Sequence, residues 1–150
     1  MWVPIPKNAT SAHRKLFIDH GWAKFYYGRT VTHLPAYIPI REPIARWFSG
    51  VAQHSARRGD LYNNIIEDVL GGGWPVLDDH TMPQTEFLLS TISDPRLIRL
   101  EDSKRFVEAT WGLSLPVVNK RAPLIDERLV PVLTKFYAAD IELYESIPPT

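Results

Sequence analysis

Two short apolar runs near the start of the chain, Trp2-Val3-Pro4-Ile5 and Ala36-Tyr37-Ile38-Pro39-Ile40, are each followed by a polar turn and then by a segment of helical periodicity. Runs of four or five apolar residues bounded by turn signals read as buried strands, although Pro4 takes one ladder donor from the first. After the turn Pro6-Lys7-Asn8-Ala9-Thr10-Ser11, residues Ile18, Trp22, Phe25 and Tyr26 recur at i, i+4, i+7 and i+8, with Thr10 or Ser11 as the natural cap. After Arg41-Glu42, Pro43 suits the first turn of a second helix, and Ile44, Trp47, Phe48 and Val51 continue it on one face. Strands alternating with helices predict an α/β fold: a parallel sheet with helices on its faces.

The rest of the chain keeps this alternation. A helix capped by Asp60 is expected to carry Leu61, Ile65 and Val69 on one face and to stop at Gly71-Gly72-Gly73. His80 to Leu89 reads as part helix, Leu97-Ile98-Arg99-Leu100 as a third strand, and Ser103 to Trp111 as a helix ended by Gly112. Arg128 to Ser146 is the last helix, with Leu129, Leu133, Phe136, Tyr137 and Tyr144 inward. The thirteen prolines fall mostly between these segments, so the elements are short and the loops tight. The 150 residues fit a single compact domain, 1–150, and show no internal repeat.

Composition removes several classes of function. Seventeen Lys+Arg balance seventeen Asp+Glu, so there is no global basic field for nucleic acid and no acidic tail for a basic partner. The absence of cysteine excludes disulfides, thiolate metal sites and a cysteine nucleophile. No stretch approaches the ~18–20 apolar residues that cross a bilayer, and the N-terminus lacks the basic and apolar regions of a signal peptide. The expectation is a soluble, cytoplasmic chain without membrane partners.

Ligands in parallel α/β sheets sit beyond the carboxyl ends of the strands. Two turns occupy such ends. In Pro6-Lys7-Asn8-Ala9-Thr10-Ser11, a helix N-terminus offers free N–H groups and the positive end of a dipole, two hydroxyls add donors, and Lys7 adds a mobile charge. This suits a phosphate or sulfate, but it is not the Walker pattern, because the lysine precedes the hydroxyls and no glycine is present. In Arg41-Glu42-Pro43-Ile44-Ala45-Arg46-Trp47-Phe48-Ser49, Arg41 ends a strand and Ser49 lies two turns into a helix, so they share an anion only if the strand end folds back beside that helix. Read alone, the first turn is a capped helix beside an exposed lysine, and the second a surface arginine with a helix serine. Two such turns in one small chain say more than either.

The pair resembles the two nucleotide-binding signatures of sulfotransferases that use 3′-phosphoadenosine 5′-phosphosulfate (PAPS), and the order matches. Asp79-His80-Thr81-Met82-Pro83-Gln84, Leu97 to Asp102, Leu115 to Lys120 and Phe136 to Tyr144 resemble further segments of the carbohydrate-modifying members, so the likeness covers nearly the whole chain. It implies a three-layer, P-loop-like fold and transfer of a sulfuryl group to a hydroxyl, on a carbohydrate acceptor, leaving 3′,5′-ADP (PAP), without a metal. By the same resemblance Lys7 neutralises the leaving group. Asn8, Ala9, Thr10 and Ser11 hold the 5′-phosphate, Arg41 and Ser49 hold the 3′-phosphate, and Lys120 and Arg121 lie where some members close a loop over the nucleotide. Ala9 stands where the family has glycine and would be strained if its φ is positive; Glu42 replaces Asp or Asn.

The acceptor proton needs a base. His80, beside Asp79, is the first candidate, followed by His33 upstream of the second strand and by Glu86 or Asp79. His13, His20, His54 and Arg14 read as ordinary hydrogen-bonded or solvated groups. Asp78-Asp79-His80 has metal-ligand character but no third ligand at fixed spacing; Gly71-Gly72-Gly73 reads as a helix stop, with a loop over the site as the other option, and Trp74 as a partly core residue or a surface for a sugar. The alternatives to an active transferase are a PAPS- or PAP-binding module of the same fold and, further away, a small nucleotide kinase. A homo-oligomer is also compatible with the sequence.

Overall fold

Strand β1 (Ala36–Ile40) carries the sheet, and all five of its residues are buried. It runs parallel to β2 (Pro95–Arg99), with Ile38 opposite Leu97. On its other edge Trp2 forms a parallel bridge to Tyr37, and the Val3 N–H donates to the Tyr37 carbonyl at 3.1 Å. These features belong to a computed structural model that describes residues 2–3, 5–21, 35–59, 61–88, 94–116 and 123–149.

Among the described residues the fold is a small two-stranded parallel sheet flanked by helices. The expected first strand shortens to the Trp2 bridge: Pro4 has no N–H to extend the ladder, and the chain turns from Pro6 onward. The expected third strand begins earlier, at Pro95, and ends at Arg99, where a 3-10 turn (Leu100–Asp102) leads into α4 (Ser103–Trp111).

Side chains on opposite faces of the sheet enter different apolar clusters, as the pleat requires. Val3, Ile5, Ala36, Ile38 and Ile40 pack with Phe87 and Ile147, joined by Leu143 and Tyr144 of α6 (Ala138–Ser146). Trp2, Tyr37 and Ile98 pack with Ala12, Leu16 and Phe17 of α1 (Thr10–Asp19) and Val107 of α4. A third cluster joins α2 (Pro43–Arg58), α3 (Tyr62–Leu70) and α5 (Val130–Phe136). In α2 the predicted face Ile44, Trp47, Phe48 and Val51 is buried throughout, each side chain contributing roughly 1.5–3 kcal/mol. Glu42 caps this helix, its carboxylate accepting from the N–H groups of Ile44 at 2.9 Å and Ala45 at 2.6 Å.

Three helices differ from expectation. Helix α1 ends at Asp19 and buries Ala12, His13, Leu16 and Phe17, while Ile18 is half exposed; Trp22, Phe25 and Tyr26 lie outside the described residues. Neither Thr10 nor Ser11 caps it. Ala9 holds the cap position with no side-chain bond, and the Thr10 hydroxyl donates backwards to the Ile5 carbonyl at 2.9 Å. In α3 the inward residues are Ile66 and Val69, and Leu61 is exposed; the expected cap Asp60 lies outside the described residues. The single last helix is instead a 3-10 turn (Glu127–Leu129), α5 and α6, separated at Tyr137. The physical reason is that one straight stripe cannot serve two clusters. Leu129 and Leu133 pack against α2 and α3, whereas Leu143, Tyr144 and Ile147 pack against the sheet. Among the described residues no helix is long and apolar enough to cross a membrane.

Candidate functional site

The turn after the Trp2 segment reverses direction within four residues. Lys7 and Ala9 both take positive φ, 69° and 51°. The left-handed region costs a residue with a Cβ about 1–2 kcal/mol, so the strain foreseen at Ala9 is present. Two hydrogen bonds hold the turn, from the Asn8 N–H to the Ile5 carbonyl at 3.2 Å and from the Thr10 hydroxyl to the same oxygen. Asn8 itself is buried and faces inward. Its Nδ2 donates to the Pro39 carbonyl at 2.6 Å and to Gln84 Oε1 at 2.7 Å. The Asn8 N–H and the Thr10 hydroxyl proton are therefore spent inside the protein. Lys7, Ala9, Thr10 and Ser11 line a cleft of about 450 Å³, at the head of α1, where the first N–H groups have no partner within a helix.

The turn after β1 reaches the same cleft. Arg41 and Ser49 both line it, so the strand end does fold back beside the helix. Arg41 Nη1 donates to the Lys7 carbonyl at 3.2 Å. Gln84 fixes the two turns together: its Oε1 accepts from Asn8 Nδ2 and from the Arg41 N–H at 3.0 Å, and its Nε2 donates to the Arg41 carbonyl at 2.8 Å. Gln84 is held in turn by Asp140, whose carboxylate accepts from the Gln84 N–H at 2.6 Å and from the N–H and hydroxyl of Thr85, both at 2.9 Å. Tyr137 donates its hydroxyl to the Thr81 carbonyl.

Arg46 is fully buried behind the cleft. It donates to the carbonyls of Pro6 at 2.9 Å, Met82 at 2.5 Å and Asp79 at 3.2 Å. It thereby ties the loop bearing Lys7 to the loop bearing His80. Burial lowers its guanidinium pKa to about 10, against a weaker opposing pull from Asp140. Sequence reasoning placed Arg46, Gln84 and Asp140 inside recognisable segments but assigned none of them a task. The signal available was a polar side chain within an otherwise apolar segment; the partners are 33 to 76 residues away.

A stripe of α2 forms one wall. Ser49, Gln53 and Arg57, spaced four apart and so on one face, line the cleft with Arg41 and His80. Lys7 Nζ donates to Gln53 Oε1 at 3.0 Å, and Gln53 Nε2 lies 3.1 Å from His80 Nε2. An ammonium only donates, so Oε1 faces Lys7 and the amide N–H faces the ring; His80 Nε2 is then the acceptor and Nδ1 carries the proton. Nδ1 lies 2.8 Å from Asp79 Oδ1 and 3.2 Å from Asp78 Oδ1. The other Asp78 oxygen meets His54 Nδ1 at 3.0 Å. Burial pushes the Asp78 pKa upward, but hydrogen bonds from His54 and the His80 N–H, with the nearby histidine charges, leave it below the usual carboxylate value. Asp78, Asp79 and His80 also bring three ligand-type atoms within 4.8 Å of one another.

The cleft is electropositive. Lys7, Arg41 and Arg57 line it, and no carboxylate does so among the described residues. The Lys7 pKa is lowered, first by burial and then by the charges of Arg41, Arg57 and Arg46. Arg41 is lowered by burial, partly offset by Glu42. An anion placed in such a cleft would relieve the repulsion among these cations.

His33, Lys120 and Arg121 lie outside the described residues. Glu86 is exposed and away from the cleft lining. His13 is buried under α1 between the Ala9 carbonyl and Tyr37. The Gly71-Gly72-Gly73 segment ends α3 tightly: a Cβ on Gly73 would fall 2.3 Å from the Asp68 carboxylate. Trp74 is largely exposed, packs edge-on against Phe136, and is not part of the cleft. No family model matches the chain, and neither a curated protein nor a solved structure matches it.

Proposed function

We propose that this protein is a PAPS-dependent sulfotransferase that moves a sulfuryl group to an acceptor hydroxyl, on a carbohydrate, and releases 3′,5′-ADP. The observation that carries the reading is the meeting of two turns, 34 residues apart in the chain, in one cleft: Lys7 with Thr10 and Ser11 on one side, Arg41 with Ser49 on the other, joined by the Arg41–Lys7 bond. A cleft of about 450 Å³ lies in the size range of small-molecule sites. Lys7 and Arg41, unaccompanied by carboxylate among the described lining residues, suit a ligand with anions at both ends. Helices on both faces of the sheet, and a turn that runs into α1, favour a three-layer, P-loop-like architecture.

The residues divide the work as follows. Ser11 and the N–H groups at the head of α1 hold the 5′-phosphate; Arg41 and Ser49 hold the 3′-phosphate. His80 Nε2, its ring oriented by Asp79 on Nδ1, exchanges its contact with the Gln53 amide for the acceptor hydroxyl. The acceptor oxygen bonds to sulfur as the bond from sulfur to the bridging phosphate oxygen breaks. The hydroxyl proton passes to His80, and the electron pair leaves on the phosphate oxygen beside the Lys7 ammonium. Positioning and charge stabilisation supply the rate, as in phosphoryl transfer.

The test is a titration with 3′,5′-ADP followed by single-turnover transfer from labelled PAPS. 3′,5′-ADP is expected to raise the melting temperature more than ATP with magnesium does, and Lys7→Ala to lower the transfer rate far more than donor affinity. A preference for ATP with magnesium would redirect the reading to a kinase. Binding without transfer, with Lys7 intact, would mark a binding module.

A further inference from the structure

The α2 wall measures out the cleft in steps of one turn, ~6 Å for every four residues. Ser49 lines the cleft together with Arg41. Gln53 follows and touches both Lys7 and His80, at 3.0 and 3.1 Å, so it marks the point between the leaving-group cation and the base. Arg57 comes one turn further on, on the side of Gln53 away from Ser49, and still lines the cleft. The donor's two anionic ends already have Arg41 and the Lys7–Ser11 turn. Arg57 lies beyond the transfer point, and no carboxylate of the described residues forms an ion pair with it. Its neighbour Arg58 offers a comparison. Both are basic residues in the last turn of α2, where positive charge complements the helix dipole. Only Arg57 faces the cleft.

We propose that Arg57 is an acceptor-recognition residue, and that the acceptor is anionic, carrying a carboxylate or sulfate close to the hydroxyl that is modified. An arginine fork pairs with either group through two parallel hydrogen bonds. The proposal rests on the sulfotransferase reading above and deepens it by naming the charge of the acceptor.

The experiment uses the full chain saturated with 3′,5′-ADP and titrates it with a tetrasaccharide alternating glucuronate and N-acetylglucosamine, then with the same tetrasaccharide after its carboxylates are reduced to alcohols. Wild-type protein is expected to bind the acidic form at least tenfold more tightly. Arg57→Met is expected to abolish that preference while leaving 3′,5′-ADP affinity within threefold, and Arg58→Met to keep the preference. Equal affinity for the two forms, no binding of the acidic form, or a preference that survives Arg57→Met overturns the proposal. A tenfold loss of 3′,5′-ADP affinity in Arg57→Met also overturns it, because Arg57 would then serve the donor. Failure of the wild-type protein to bind 3′,5′-ADP is a separate result and counts against the sulfotransferase reading itself.

Discussion

The Arg41 guanidinium donates from Nη1 to the backbone carbonyl of Lys7, 3.2 Å away, and so joins the two turns that line the cleft. Only one arm of the fork is used in this bond. A 3′-phosphate placed beside Ser49 would take the rest. Arg41→Ala is therefore expected to weaken 3′,5′-ADP by ~1.5–3 kcal/mol, the usual contribution of a hydrogen bond to a charged group, while 5′-AMP changes little. Calorimetric titration of both nucleotides checks this, and equal losses would remove Arg41 from the 3′-phosphate.

Gly50 lies on α2 where the helix touches the His80 loop. A Cβ there would fall 2.6 Å from the His80 carbonyl oxygen and 2.9 Å from Thr81 Cγ2. In an exposed helix, Gly→Ala gains about 1 kcal/mol. Here the neighbour is backbone, so Gly50→Ala should cost ~1–3 kcal/mol. Urea denaturation reads the sign directly, and a stabilised variant would contradict the packing described.

Ala9 sits at φ 51° and ψ 35°. Glycine enters that region without a Cβ penalty. Ala9→Gly should raise unfolding stability by about 1 kcal/mol, visible as a higher urea midpoint at unchanged slope. A lower midpoint would mean that the methyl contact with the cluster around Phe17 outweighs the backbone strain.

His13 is fully buried, and burial lowers its pKa to about 4 against a smaller opposing contribution from the Ala9 carbonyl. The unfolded chain titrates near the ordinary value of about 6.5. Between these two values the unfolded state holds the extra proton, so stability rises with pH and is lost as pH falls from about 6.5 towards 4. The loss reaches up to ~3 kcal/mol. His13→Gln, which keeps hydrogen-bonding capacity without titrating, should flatten this slope in urea midpoints measured at pH 7.5 and 5. An unchanged slope would place the acid sensitivity elsewhere.

Much of the architecture was legible because its causes are local. The run Ala36 to Ile40 is apolar throughout and becomes β1. Pro43 and the stripe Ile44, Trp47, Phe48 and Val51 become α2, and Ser103 to Trp111, closed by Gly112, becomes α4. Candidate cleft residues were legible for the same reason, since Lys7, Thr10, Ser11, Arg41 and Ser49 lie in turns or helix starts whose chemistry is visible over a few residues. The end of α1 and the division of the last helix at Tyr137 were not, because they follow from which cluster each side chain can reach.

The amino-acid order by itself determined the alternation of short elements, the two polar turns at strand ends and the residue types within them. Their convergence was decided only in three dimensions. Gln84, Asp140 and Arg46 bond backbone groups across separations of 33 to 56 residues, and a buried polar side chain must find its partners wherever the fold brings them. The contact of Gln53 with both Lys7 and His80 has the same origin. A helix face can be read from a period of 3.6, but which loops close over it depends on the packing of the whole chain.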